Sequence, residues 1–319
     1  MTGSGYVREV GPGTQVAKPG DPVLLSFSYC RDCEPCKRGH PAHCFNFNAI
    51  NFESVPEDYT FRDPSTSRTG EYDIYGRFFG QSSFASWSVV REDSVVNVAG
   101  LVKNRDELEL LAPLGCGIQT GTGSILNAAN ASATDRVVIL GLGGVGLSAV
   151  MGAKIAGCKK IVGIDRHPWR MDLAKQLGAT DVINSNELEG GLTAMTGVVR
   201  EMTGGLGANI TLDTTGSPSL ISEGVKITAF KGIIMQVGSA SETQTLTIPI
   251  REFMVSGKQF MGVVEGDVQP DQYIPQLIKW VQEAILPLRK IVKRYPAEYF
   301  EKAISDMRNG ETIKPILVW

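Results

Sequence analysis

The chain has 319 residues, of which 31 are basic and 34 acidic, and a formal net charge of −3 at pH 7. This length suits two domains, and a hydrophobic content of 42% excludes collagen-like, disordered and coiled-coil classes. The absence of a basic surplus argues against nucleic acid as a partner. No apolar run is long enough for a membrane helix, and the N-terminus has no apolar signal segment, so we expect a soluble, cytoplasmic protein.

The pattern of the first hundred residues predicts short strands separated by turns. Residues 1–30 contain turn signals such as Gly11-Pro12-Gly13, residues 30–75 are rich in turns, and residues 75–98 return to a strand-like pattern. The aromatic residues available for a β core in this last stretch are Phe78, Phe79, Phe84 and Trp87.

Four cysteines stand close together between residues 30 and 44. Their spacing is Cys30-x2-Cys33-x2-Cys36-x7-Cys44, which lets one loop wrap an ion. Four thiolates that close a tetrahedron are typical of a structural zinc site with no position left for substrate. Disulfides are the alternative and are disfavoured in a chain without a signal peptide. His40 and His43 could compete for a ligand position, but Cys44 completes an all-sulfur set.

From about residue 105 the chain becomes helical and then alternates regularly. A predicted helix begins at Asp106, and after residue 130 short apolar strands alternate with helices of about ten residues, a pattern of parallel βαβ units. The predicted strands are Val137–Leu140, Lys160–Asp165, Asp181–Ile183, Asn209–Asp213 and Gly232–Val237. The predicted helices between them are Gly144–Ala156, Trp169–Leu177, Thr193–Thr203 and Leu220–Thr228. The expected fold class is α/β with a doubly wound parallel (Rossmann) sheet. Two further helices and a final strand at Lys314–Trp319 follow.

The first of these strands runs into a glycine-rich turn. Gly141, Gly143 and Gly146 fit the pattern G-x-G-x-x-G, and an acid, Asp165, ends the next strand. Such a loop permits a tight turn and close backbone approach to a pyrophosphate, which the N-terminus of the following helix attracts. The strand, the helix and the acid together predict a dinucleotide site rather than a plain glycine turn. Asp165 would accept hydrogen bonds from the adenosine ribose, which favours NAD over NADP, although the neighbouring Arg166 weakens that preference.

In this order, the four-cysteine loop and the glycine turn resemble those of the zinc-containing medium-chain alcohol dehydrogenases. The segments Pro113–Gly121, Asp213–Gly216 and Gly310–Pro315 are similar to others of that family, and Phe260–Asp267 is similar to its aryl- and benzyl-alcohol branch. The resemblance implies hydride transfer between NAD and a primary alcohol or aldehyde, aromatic or allylic in this branch. It also implies a homodimer or homotetramer.

The resemblance assigns roles to individual residues. Cys116 would be a ligand of a catalytic zinc, and Thr120 would pack against the nicotinamide. The residues that the glycine motif and the resemblance together assign to the coenzyme are Gly141, Gly143, Gly144, Val145, Gly146, Asp165, Arg166, Arg170, Thr215, Val237 and Lys314.

The same resemblance predicts the domain organisation. Residues 1–117 would form a partial GroES-like catalytic domain, with its structural zinc lobe at about 30–44. Residues 118–262 would form the NAD-binding Rossmann domain, and residues 263–319 would return to the catalytic domain.

The start of the chain departs from the family pattern. Gly3–Val7 is similar to the stretch that follows a Gly-His-Glu segment, so Met1 and Thr2 fall where the zinc histidine and the glutamate would be. Cys116 is then the one visible ligand of a catalytic zinc that needs three. We therefore expect an N-terminally shortened chain whose own catalysis is impaired.

Two alternative functions remain open. One is a catalytically silent NAD-binding protein with a structural zinc. The other is a zinc-independent reductase of the same superfamily, against which the four-cysteine loop argues.

Overall fold

The structure is a computed structural model that describes residues 2–53, 60–62, 73–75 and 78–319. Met1 and most of the turn-rich segment predicted between residues 54 and 75 lie outside the described part. The chain divides into two compact units, one formed by Met1–Cys116 with Val268–Trp319 and the other by Gly117–Asp267. Among the described residues, no helix combines the length and apolarity needed to span a membrane.

The helices and strands are numbered in chain order. The strands are β1 (Gly3–Tyr6), β2 (Pro22–Leu25), β3 (Thr60–Arg62), β4 (Asp73–Tyr75), β5 (Val95–Asn97), β6 (Arg136–Leu140), β7 (Lys160–Asp165), β8 (Asp181–Asn184), β9 (Ala208–Asp213), β10 (Thr228–Gln236), β11 (Gln259–Gly262), β12 (Val292–Pro296) and β13 (Lys314–Val318). The α-helices are α1 (Glu34–Lys37), α2 (Phe47–Asn51), α3 (Arg105–Leu111), α4 (Gly117–Gly123), α5 (Gly144–Ile155), α6 (Pro168–Leu177), α7 (Met195–Met202), α8 (Pro218–Ile227), α9 (Ile250–Ser256), α10 (Pro270–Gln282) and α11 (Phe300–Arg308).

The unit Gly117–Asp267 contains a six-stranded parallel sheet in the order β11-β10-β9-β6-β7-β8. Strands that are covered on both faces need apolar side chains at successive positions, and Val137–Leu140 of β6 has no exposed surface. The predicted α/β class with a doubly wound parallel sheet is confirmed.

The strand order fixes where a ligand can bind in this unit. From β6 the chain proceeds outward through β7 to β8, then crosses back to place β9 on the other side of β6. The helices that follow β6 and β9 therefore diverge, which opens a crevice at the carboxyl ends of these two strands. The glycine turn and the turn after β9 both lie there.

The other unit is built from small sheets. β1, β2 and β5 form an antiparallel sheet in which Gly3 pairs with Leu25 and Val23 with Asn97. β3 and β4 form an antiparallel pair, and β12 and β13 a parallel pair. Phe27, Phe47 and Phe79 pack in one cluster beside the cysteine loop.

The expected β core in residues 75–98 is largely wrong. Of its four aromatic side chains only Phe79 is buried, whereas Phe84 and Trp87 are 62% and 67% exposed. The reason is local, because Gly80 and the serines between 82 and 88 break the run into turns, one closed by a hydrogen bond from Ser88 Oγ to the Ser82 carbonyl. Trp87 instead lies under the guanidinium of Arg8, 4.5 Å from the ring centre.

A buried carboxylate holds the C-terminal segment that carries Lys314. Asp306 of α11 is 3% exposed and accepts hydrogen bonds from the Lys302 ammonium at 2.9 Å, the Tyr295 hydroxyl at 2.7 Å and the Lys293 ammonium at 3.3 Å. These donors, Lys302 first, hold the pKa of Asp306 at about 2, below its ordinary 3.8. The cluster joins α11 to β12, whose neighbour β13 begins at Lys314.

This carboxylate gives a pH-dependent contribution to stability. Because the pKa of Asp306 is depressed in the folded chain, its contribution is complete above its unfolded value of 3.8 and is lost as pH falls toward about 2. Asp306→Asn should therefore lower the free energy of unfolding by a constant amount above about pH 5, and by progressively less from there toward pH 2. Urea unfolding of both proteins at a series of pH values measures this difference. A difference that does not shrink in acid would contradict the assignment.

Candidate functional site

The four cysteines of the first unit converge on one point. The Sγ atoms of Cys30, Cys33, Cys36 and Cys44 all lie within 4.8 Å of one another. Cys33 Sγ is 3.4 Å from that of Cys36 and 3.9 Å from that of Cys44, and Cys30 Sγ is 4.0 Å from that of Cys36. Zinc–sulfur bonds of about 2.3 Å place tetrahedral sulfurs about 3.8 Å apart, so the cluster has the size of a Zn(Cys)4 site.

The backbone around the cluster favours a thiolate at Cys30. The N–H groups of Cys33 and Cys30 donate to Cys30 Sγ at 3.3 Å and Cys44 Sγ at 3.4 Å. Burial acts to raise the pKa of Cys30, but hydrogen bonds from the Cys33 and Asp32 N–H groups outweigh it and lower that pKa to about 6. Burial, as the largest cause, raises the pKa of Cys36 and of Cys44. Thiolates packed this closely repel one another, and a dication among them removes that cost.

Among the described residues, the four-cysteine set is the only group of three or more side chains that could hold a metal ion. It includes neither His40 nor His43, in agreement with an all-sulfur site. It also does not include Cys116, so the described residues do not account for a catalytic zinc, which needs three protein ligands.

The glycine turn of the second unit is tightly constrained. Gly141 has φ +90°, and its N–H donates to the Ile164 carbonyl at 2.8 Å. A Cβ at Gly146 would lie 1.8 Å from the Gly141 carbonyl oxygen, so only glycine lets α5 begin this close to β6. A Cβ at Gly143 would instead meet nothing within 4 Å. The protein's own packing does not require glycine at position 143, and the open space there fits the approach of a ligand.

Asp165 connects this turn to the neighbouring strand. Its Oδ2 accepts a hydrogen bond from the Leu142 N–H at 2.7 Å, and its Oδ1 accepts from the Arg166 and His167 N–H groups at 2.8 and 2.9 Å. The Arg170 guanidinium lies 3.8 Å away, and its Nε is buried without a hydrogen-bond partner in the described chain. Arg166 is exposed, so of the two predicted basic residues only Arg170 lies against the carboxylate.

The turn after β9 is organised by Asp213, which is fully buried. Its carboxylate accepts from the Thr215 hydroxyl at 2.6 Å, the Gly216 N–H at 2.8 Å and the Gln236 amide at 3.1 Å. Its backbone carbonyl accepts from the Val237 N–H at 3.0 Å. The predicted residues Thr215 and Val237 are thus brought together at one edge of the sheet.

α4 packs directly on the glycine turn. A Cβ at Gly121 would lie 2.2 Å from the carbonyl oxygen of Val145, so glycine permits this close approach. Thr120 is 6% exposed and donates to Glu265 Oε2 at 3.3 Å. Cys116 immediately precedes α4, and Gly115 before it is held by the Ser26 hydroxyl, which donates to its carbonyl at 2.7 Å.

Lys314 lies in β13 of the first unit, so its predicted role at the coenzyme stays a prediction.

Sequence reasoning missed Asp213, Gln236 and Glu265 as organising residues. The sequence could have indicated Asp213, because an acid at the end of a predicted parallel strand lies at the sheet edge where ligands bind. The partners of Glu265 lie 146 and 145 residues away in Gln119 and Thr120, and no local pattern reveals them.

Known proteins with this architecture identify its family. Residues 1–100 match the alcohol dehydrogenase GroES-like domain, and residues 144–283 match the zinc-binding dehydrogenase domain. Geraniol dehydrogenase of Castellaniella defragrans is 34% identical over 99% of this chain and 82% of its own length. Benzyl alcohol dehydrogenase of Acinetobacter calcoaceticus superposes with a TM-score of 0.87 at 36% identity, over 98% of this chain and 82% of that structure. A zinc-binding alcohol dehydrogenase domain protein of Burkholderia ambifaria gives a TM-score of 0.89 at 36% identity, over 98% and 81%.

The chain belongs to the zinc-containing medium-chain alcohol dehydrogenase family and is by that membership an alcohol dehydrogenase-type oxidoreductase. The predicted GroES-like region and zinc-binding class are thereby confirmed. The chain spans about four fifths of the length of these relatives.

The four-cysteine cluster can be tested by metal content. We expect Cys44→Ser to weaken zinc retention more than about 100-fold, since even outer-shell partners of a metal contribute about 10- to 100-fold. Cys158→Ser is the matched control, because Cys158 is also buried but lies outside the cluster. The measurement is zinc per chain after dialysis, together with the thiolate-to-metal absorption of cobalt-substituted protein. Equal zinc in both variants would exclude the cluster as the metal site.

Proposed function

We propose that the protein is of the zinc- and NAD-dependent alcohol dehydrogenase type, which transfers hydride between NAD and a primary aromatic or allylic alcohol or aldehyde. We also propose that catalysis by this chain is impaired, because no group of three metal ligands that includes Cys116 is found among the described residues. The observation that supports NAD as the coenzyme is the glycine turn, which is hydrogen-bonded to Asp165 at the crevice of the parallel sheet. The names of two relatives, a geraniol and a benzyl alcohol dehydrogenase, support the substrate class.

The residues of this crevice suit a dinucleotide. The free N–H groups at the start of α5, from Gly144, Val145 and Gly146, would receive the pyrophosphate, with the open space at Gly143 beside them. Asp165 would accept from the adenosine ribose hydroxyls and Arg170 would flank them. Thr215 and Val237 would line the crevice, and Lys314 would reach the pyrophosphate.

The negative charge of Asp165 favours NAD over NADP. Both carboxylate oxygens already accept backbone N–H bonds, which hold the group in place. A 2′-phosphate at this position would meet a like charge, whereas a hydroxyl would meet an acceptor.

The nicotinamide supplies the hydride chemistry once it is bound, and the chain supplies position and electrostatics. Thr120 would pack against the nicotinamide ring. Cys116, immediately before the same helix, would serve as one ligand of the catalytic zinc that the family uses. The structural zinc would be held by Cys30, Cys33, Cys36 and Cys44.

Two further features follow from the family. We propose a homodimer or homotetramer. We also propose a cytoplasmic location, because a four-thiolate site requires reduced cysteines.

The proposal is tested by oxidation of benzyl alcohol and geraniol with NAD as acceptor. We expect the chain to bind NADH but to oxidise these alcohols slowly. Cys116→Ser should lower the remaining kcat further while the Kd of NADH stays within twofold, because a thiolate ligand is lost and the coenzyme crevice is not. Cys158→Ser is the control and should keep both values.

Two other results would favour the two alternative functions. Coenzyme binding with one zinc per chain and no turnover in any variant would instead indicate a catalytically silent NAD-binding protein. A strong preference for NADPH would favour a zinc-independent reductase.

A further inference from the structure

Glu265 is a buried acid whose role lies outside the assignments above. Its side chain is 6% exposed, and its Oε2 accepts hydrogen bonds from Gln119 Nε2 at 2.9 Å and from Thr120 Oγ1 at 3.3 Å. Both donors belong to α4, and all three residues lie in the unit Gly117–Asp267. A carboxylate is an acceptor only, so it orients both of these neutral donors toward itself.

The backbone around Glu265 holds the carboxylate in place. Glu265, Gly266 and Asp267 have φ values of +50°, +72° and +51°, a left-handed conformation that non-glycine residues rarely adopt. A Cβ at Gly266 would lie 2.5 Å from the Gln119 carbonyl oxygen, which shows how closely this turn lies against α4. Asn127 donates from its amide to the carbonyl of Gly266. Such unfavourable backbone geometry persists where the surroundings fix it, often at functional positions.

The hydrogen bond to Glu265 determines what Thr120 can offer. A threonine hydroxyl has one hydrogen, and here that hydrogen points to the carboxylate. Toward any other neighbour, Oγ1 can therefore only accept. An ionised Glu265 places a negative charge one hydrogen bond away from this side chain.

We propose that Glu265 is an ionised positioning residue that fixes Thr120 and makes the site favour the oxidised over the reduced nicotinamide. The inference rests on the proposed function, from which it takes the contact between Thr120 and the nicotinamide. The ring carries a positive charge in NAD+ and none in NADH, so a nearby buried carboxylate stabilises only the oxidised form. Because electrostatic potentials add, removing this charge disfavours NAD+ relative to NADH whatever other charges stand nearby.

The test measures the Kd of NAD+ and of NADH by calorimetry and NADH fluorescence, which requires no turnover. Glu265→Gln keeps the shape and removes the charge, and we expect the ratio Kd(NAD+)/Kd(NADH) to rise about tenfold. A purely structural role would weaken both forms alike and leave the ratio unchanged. If Glu265→Gln does not fold, Glu265→Met, which is neutral and needs no hydrogen-bond partner, should give the same shift.

Two further variants separate charge from packing. Glu223→Gln is the matched control, because Glu223 is 4% exposed in the same unit and accepts from Thr196 and Lys226 in α7 and α8. In Glu223→Gln the ratio Kd(NAD+)/Kd(NADH) should stay within twofold of the wild-type value. Thr120→Val removes the hydroxyl and keeps the carboxylate, so it should weaken both coenzyme forms and leave the ratio near wild type.

The outcomes distinguish this inference from the function on which it rests. If the wild-type chain binds neither NAD+ nor NADH, the proposed coenzyme site is wrong and the inference is wrong with it. If the wild type binds both and Glu265→Gln changes the ratio no more than Glu223→Gln does, the inference alone is overturned.

Discussion

The hydrogen bond from the Leu142 N–H to Asp165 Oδ2 is the interaction on which the proposed coenzyme crevice depends. It joins the glycine turn after β6 to the end of β7, where the phosphates and the ribose of the proposed coenzyme would lie. In the same turn, Gly146 lets α5 start against the Gly141 carbonyl. In the proposed function the same carboxylate would also accept hydrogen bonds from the ribose, a role that suits an acid better than a neutral polar residue.

The two candidate sites are assembled in different ways. The four-cysteine cluster comes from a single loop of 15 residues, which a metal ion would cross-link. The proposed coenzyme crevice is assembled from residues far apart in sequence, because parallel strands bring distant turns to one sheet edge. Its second turn depends on Asp213, which binds the hydroxyl of Thr215 and the amide of Gln236.

Local patterns allowed much of the fold and site to be predicted from sequence. The apolar strands, the glycine spacing and the cysteine spacing are each dictated by chemistry within a few residues. The parallel strands, the tight turn at the glycines and the convergence of the four cysteines match the structure. The binding of NAD and zinc there stays a prediction. The burial of Phe84 and Trp87 was predicted wrongly, because an aromatic run indicates a strand only when turn residues do not interrupt it. Glu265 could not be predicted, since its function depends on partners brought to it by the sheet topology. The roles assigned to Cys116, Thr120 and Lys314 stay predictions, because they concern contacts with groups beyond the chain itself.

Hydrogen exchange of the backbone amides, with and without NADH, tests the central claim most directly. The account predicts slower exchange on coenzyme binding in the glycine turn at 141–147 and in the turns at 213–216 and 236–238. The cysteine loop at 30–44 serves as an internal reference whose exchange should not change. Protection by NADH that leaves the glycine turn unaffected would contradict the assignment of the coenzyme crevice.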